Sequence, residues 1–193
     1  MNRHFVLHKP YGYLSQFITN DKGKQPLLGA LGEFPEGIMP IGRLDAKSEG
    51  LLLLTTDGMM SERVRSKKVE KEYYVLVDGD ITEEAIERLK NGVEINVEGR
   101  LYTTLPCKAF KFDNTPKVPV QKQRIRDDRH GPSKWISITL KEGKFRQIRK
   151  MTAMVGFPTL RLIRMRVGHI CLNELPAGEF YEVNDLLPTA FHE

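Results

Sequence analysis

A chain of 193 residues with 40% hydrophobic content is long enough for one substantial domain and too apolar to belong with disordered proteins. No apolar run approaches the about 20 residues of a membrane-spanning helix, and the first ten residues, with a three-residue apolar stretch, do not read as a signal peptide. The net charge of +5 hides a segregation: residues 63–71, 117–134, 141–150 and 161–166 together hold nineteen basic and four acidic side chains, a net +15, so the rest of the chain sums to −10.

Charge runs are usually solvated faces. Segregation on this scale also fits a face that meets a polyanion, because backbone phosphates attract cations whatever the base sequence. Nucleic acid is the partner this favours, and nothing in the composition separates RNA from DNA. Cys107 and Cys171 lie far apart and form no metal-spaced pair; they are expected to be reduced, buried thiols of a cytoplasmic protein.

The chain opens with Phe5-Val6-Leu7-His8, a short strand stopped by Lys9-Pro10, where the donor is missing. Residues 11–17 are expected to resume extended structure, residues 21–24 to turn, and residues 26–31 to make a helical turn. Four leucines, 51–54, are too few for a helix and end at Asp57-Gly58, so they predict a buried strand. A helix follows over 58–68, its basic end suited to a helix C-terminus.

Residues 71–77 (Lys-Glu-Tyr-Tyr-Val-Leu-Val) are aromatic and β-branched, hence a strand. Thr82 caps a helix to Asn91, with Glu83 and Glu84 at its positive end and Ile86 and Leu89 on its apolar stripe. Residues 92–112 read as strands and turns, and 113–134, with three prolines and many charges, as a mobile surface loop. Residues 135–140 alternate as a strand. The stretch from residue 142 starts at a turn and runs into a helix ending near Val155-Gly156, and residues 160–168 form a closing strand.

Ahead of the leucine strand stands Gly42-Arg43-Leu44-Asp45, followed by Ser48-Glu49-Gly50. A turn aspartate bonded to its own backbone is the ordinary use of such a residue. The alternative is a carboxylate held on a loop by a rigid strand, placed for chemistry.

Together, Gly-Arg-Leu-Asp with Ser-Glu-Gly-Leu-Leu-Leu-Leu-Thr, Lys71-x-Tyr73-x-Val75, and Glu142-Gly143-Lys144-Phe145-Arg146-Gln147-Ile148-Arg149-Lys150-Met151 resemble the RsuA/RluB/RluE/RluF family of pseudouridine synthases. The resemblance covers residues 5–183. Two departures stand out: His8 where relatives often have asparagine, and Phe145 in place of the usual asparagine of the third motif. The fold implied is α+β, a mixed, mainly antiparallel sheet flanked by helices, with a cleft between two halves. It implies one catalytic domain over 1–193, two subdomains sharing a sheet, and no N-terminal RNA-binding module of the S4 type.

The activity implied is isomerisation of uridine to pseudouridine: the N1–C1′ bond breaks, the uracil turns, and C5 joins C1′. No cofactor and no metal are expected. In the family the aspartate of the first motif, here Asp45, is catalytic, as a nucleophile or as a base in an elimination. Arg149 is carried over as its ionic partner, since a guanidinium grips a carboxylate in two places, with Arg146 second. Tyr73 is implied to stack on the base and handle a proton near C5. Leu44, Leu162 and Ile163 are implied as pocket walls.

Arg43 is expected to fill the space of an extruded nucleotide, and extrusion costs a few kcal/mol. With Lys71, Lys144, Arg146, Lys150, Arg161 and Arg164 it makes up the expected RNA-binding set. The partner implied is large-subunit (23S) ribosomal RNA or its precursor, met by a monomer without a membrane. Other structured RNAs, from the small subunit or transfer RNA, are the alternative substrates, and a non-catalytic ribosome-binding protein is the alternative class. A glycosidase would need a second carboxylate about 5–10 Å away, which no motif supplies.

Overall fold

The computed structural model describes residues 2–19, 23, 25–120, 124–125 and 131–187. The turn expected at 21–24 and the middle of the loop expected over 113–134 lie largely outside these. The chain divides into two units, residues 1–71 with 163–193, and residues 72–162. Among the described residues no helix is long and apolar enough to cross a membrane.

The first unit is built on β1 (His4–Lys9) and β3 (Glu49–Thr55), antiparallel in the register Lys9↔Gly50 to His4↔Thr55. Every residue of both strands is buried, which is why the leucines run without alternation: both faces are covered. β11 (Phe180–Val183) pairs β1, β2 (Met39–Pro40) pairs β3, and the later part of β9 (Thr159–Val167) runs parallel to β3 with Gly50 opposite Arg164. β10 (Ile170–Cys171) closes onto β9. Phe5, Leu7, Leu28, Leu52 and Leu54 form the core, covered by Phe17, Phe34 and Phe180. α1 (Gly58–Arg65) is capped by Asp57, whose carboxylate accepts from the Met59 and Met60 N–H groups.

The second unit holds β4 (Lys71–Asp78, from residue 72), α2 (Glu83–Asn91), the hairpin β5 (Glu94–Val97) and β6 (Arg100–Thr103), β7 (Lys108–Lys111), β8 (Ser133–Leu140) and α3 (Gln147–Met154). Its strands follow the order β9-β4-β8-β7. Ile86 and Leu89 of α2 and Ile148 and Met151 of α3 pack with Val75, Ala109, Ile136 and Ile138 in one cluster, so both helices cover the sheet. Thr82 caps α2 as expected, its hydroxyl accepting from the Ala85 N–H at 3.2 Å. Gly92 ends that helix at φ +98°, where a Cβ would lie 2.3 Å from the Thr104 carbonyl oxygen; only glycine closes this turn. The class is α+β with a mainly antiparallel sheet.

Three expectations need correction, and three short strands come in addition. Residues 11–17 make no strand beyond one bridge, Leu14↔Leu27, because Gly12 turns the chain at φ +91°. α1 stops at Arg65, three residues early, where Ser66 becomes extended and bonds Arg63 O. β2, β10 and β11 are too short to show a period and were not anticipated. The cysteines are not both buried: Cys171 is exposed and Cys107 half-buried, its thiol pushed up to about 11 by burial, with the Glu142 charge adding to it.

Candidate active site

Asp45 lies in the loop between β2 and β3, and the backbone around it is held from residues 12–15. The Ser15 hydroxyl donates to Leu44 O at 2.8 Å and accepts from Leu44 N–H at 3.0 Å. The Gly12 N–H donates to Ala46 O at 2.7 Å, and the Ser48 N–H to Asp45 O at 2.9 Å, closing a turn over 45–48. The aspartate thus sits in a turn whose main chain is fixed by partners outside it. Leu44 is buried, Asp45 half-buried and Arg43 exposed.

Gly50 brings β3 against β9. At φ +105°, a Cβ there would be 2.4 Å from Arg164 O and 2.8 Å from Arg164 N. This close approach places Arg164, 6% exposed, with its Nε donating to Leu51 O at 2.7 Å.

Lys9 is wholly buried at the end of β1, where the register sets it opposite Gly50 and beside Glu49. Its Nζ donates to Pro10 O at 2.8 Å. Burial brings its ammonium down to about 7, while the charges of Glu49 and Asp45 pull it up and that of Arg164 pushes it further down. Lys71 is lowered to about 8 by burial and by Arg164, and its Nζ donates to Ser66 O. Within the first unit, buried Lys9 therefore interacts with Asp45, with a second carboxylate, Glu49, and with a second buried cation, Arg164. Ile163, fully buried, also belongs to this unit.

In the second unit Tyr73 is half-buried against the cluster that contains Leu162, Ile148 and Met151. Tyr74 meets Phe112 edge to face at 4.9 Å. The third motif is organised by a residue whose role sequence reasoning missed, Glu142. It is 5% exposed and accepts from Tyr102 OH at 2.5 Å, from the Leu105 N–H at 2.9 Å and from Gln147 Nε2 at 2.6 Å. Gln147 Oε1 in turn accepts from the Lys144 N–H. That acceptor pushes the Tyr102 phenol up to about 12. The clasp holds Arg146 in the left-handed region, φ 52°, ψ 34°, just ahead of α3. Arg149 is half-buried in the first turn of that helix.

The basic residues expected to face RNA divide. Lys144 and Arg146 are exposed, and Lys71 and Lys150 are half-buried. Arg161 and Arg164 are buried, 3% and 6% exposed. Arg161 donates to Pro119 O at 2.9 Å and lies over the Trp135 ring; bonding to main-chain oxygens is what allows two guanidiniums to sit inside. Among the described residues no group of three or more His, Cys, Asp or Glu is placed to ligate a metal.

Residues 3–154 match the family described as RNA pseudouridylate synthase. The chain belongs to that family. It is 38% identical over 180 residues to the ribosomal large subunit pseudouridine synthase E of Vibrio parahaemolyticus serotype O3:K6, covering 92% of this chain and 72% of that protein. It is also 38% identical over 174 residues to the protein of the same name from Xanthomonas axonopodis pv. citri, covering 88% of each. A solved structure titled "Crystal structure of pseudouridylate synthase" superposes with a TM-score of 0.73 at 28% identity, over 95% of this chain and 71% of that one. The matched span of the pseudouridylate synthase family takes in all three motifs, and the enzyme class is RNA pseudouridine synthase, an isomerase.

Signals for the missed residues were faint. Lys9 precedes a proline at the end of an apolar strand, which reads as a strand stop. Glu142 precedes a glycine and looks like any turn carboxylate.

Proposed function

We propose that this enzyme isomerises a uridine of large-subunit ribosomal RNA, or of its precursor, with Asp45 as the catalytic carboxylate. The observation that carries the substrate is the pair of relatives at 38% identity named for the large subunit, matched over about nine-tenths of the chain. What supports Asp45 is the clasped loop of the first unit and the buried Lys9, which interacts with Asp45, Glu49 and Arg164.

In the reaction the N1–C1′ bond breaks and a C5–C1′ bond forms. The proton on C5 leaves, and N1 gains one, so the product is an isomer of the substrate. Asp45 serves by attacking C1′ or by removing a proton from the sugar, and both routes begin with the ionised carboxylate. Tyr73 and Arg149 keep, as proposals, the stacking and carboxylate-supporting roles that the family resemblance implies.

The test is pseudouridine mapping of ribosomal RNA from cells with the gene, without it, and with Asp45→Asn. One large-subunit uridine is expected to lose its modification in both altered strains. Purified Asp45→Asn is expected to bind RNA and unfold as wild type does while releasing no C5 tritium from labelled transcript. Turnover near wild type would remove Asp45 from the role, and an unchanged large-subunit map would remove the substrate.

A further inference from the structure

The third motif carries an aromatic residue that the reaction does not use. Phe145 is 60% exposed, although a large apolar ring at the surface forgoes the gain of burial. It stands between Lys144 and Arg146, both exposed, and the Lys150 ammonium lies 5.1 Å from its centroid. A second pair of the same kind adjoins it in sequence: the Lys144 ammonium lies 4.6 Å from the centroid of Tyr102.

The only acid in this stretch, Glu142, is turned inward and consumed by Tyr102, Leu105 and Gln147. What residues 141–150 show to solvent is therefore cationic, interrupted by one ring. The ring is also held: the Glu142–Gln147 clasp fixes the loop, and the left-handed Arg146 that follows is a conformation non-glycine residues keep only where their surroundings enforce it.

We propose that Phe145 is a stacking platform for an unpaired base of the RNA substrate, with the surrounding lysines and Arg146 holding the adjoining phosphates. Cations interleaved with exposed aromatic rings are how proteins bind single-stranded segments: phosphates supply a charge-dependent term, and any base offers a flat face to the ring. A ring meant to anchor a protein partner would sit in an apolar patch rather than among cations. The proposal rests on the reading of an RNA substrate given above and adds a residue that contacts a base other than through the reaction itself.

The experiment compares two fluorescein-labelled probes of equal charge, a ten-nucleotide oligouridylate and a strand of ten abasic ribose phosphates. Wild-type enzyme is expected to bind the oligouridylate more tightly. Phe145→Leu is expected to shrink that preference by about tenfold, the scale of one lost base–ring stack, while affinity for the abasic strand stays within twofold. Phe145→Trp is expected to preserve or enlarge the preference. Because the ring is exposed, both variants are expected to unfold in urea at the wild-type midpoint, which separates a binding loss from a folding loss. An unchanged preference in Phe145→Leu overturns the proposal and assigns the ring to another kind of partner.

C5-tritium release from a large-subunit RNA transcript is measured alongside. A wild-type enzyme that prefers oligouridylate through Phe145 yet modifies no large-subunit RNA would overturn the substrate reading and leave the platform standing. An active wild type with a Phe145-independent preference would overturn the platform alone.

Discussion

Lys9 gives this protein a stability that depends on pH in a direction opposite to acid-stabilised lysine pairs. The ammonium loses its proton near pH 7 in the folded chain and at about its ordinary 10.5 when unfolded. Between those values the unfolded state binds more protons, so stability rises with pH through that window and is lost as pH falls through about 7. The whole span corresponds to about 5 kcal/mol, of which about 2–3 kcal/mol falls between pH 6 and pH 9. No discount for exposure applies, since the side chain is wholly buried.

The perturbation is Lys9→Met, close in shape and without a titrating group. Urea unfolding of both proteins at pH 6, 7, 8 and 9 yields the difference in stability at each pH. That difference is expected to move in favour of wild type by about 2–3 kcal/mol from pH 6 to pH 9. Lys71, at about 8, titrates within the window but is present in both proteins and cancels in the difference; Tyr102 and Cys107, at about 12 and about 11, lie above it. A difference constant across the range would show that Glu49 and Asp45 hold the ammonium charged throughout, and the reasoning from burial would fail.

Gly50→Ala is expected to cost about 3 kcal/mol or more, through a φ of +105° and a clash with the Arg164 main chain. Differential scanning calorimetry is expected to read this as a melting point lowered by about 6–12 °C; a drop under 2 °C would mean that β3 and β9 separate without penalty. Glu142→Ala leaves Tyr102, Leu105 and Gln147 without their shared acceptor and is expected to cost about 3–5 kcal/mol. Hydrogen exchange is expected to quicken first at residues 144–150, and exchange unchanged there would show the clasp to be incidental.

Legibility in the sequence followed burial and period. The leucine strand, the Thr82 helix and the helix of the third motif could be read because an apolar run, a cap and a stripe each have one physical cause. The strand that ends at Lys9 could not be read as far as its last residue. All six of its positions are buried, so no alternation marks the lysine as inward-facing, and the following proline suggests only a stop. The burial of Arg161 and Arg164 could not be read for the reverse reason. Three basic residues in six positions look like a surface, yet two of these guanidiniums turn inward to the carbonyl oxygens of Pro119 and Leu51. Acceptors supplied by distant main chain leave no trace near the arginine in the sequence. Asp45 could be singled out, but its supports could not: Ser15 lies thirty residues before it and bonds the main chain rather than a side chain.

The two buried cations of the aspartate loop are not equivalent. A guanidinium keeps its charge at any pH the protein meets, whereas a buried ammonium is the cation that burial can neutralise. Arg164, tied to Leu51 O, is thus a fixed charge beside Lys9. Lys9, at about 7, is an adjustable one. The two are told apart by substitution. Arg164→Lys exchanges the fixed cation for an adjustable one and breaks the bond to Leu51 O, so the order of the β3–β9 contact, set by Gly50, should suffer along with the charge.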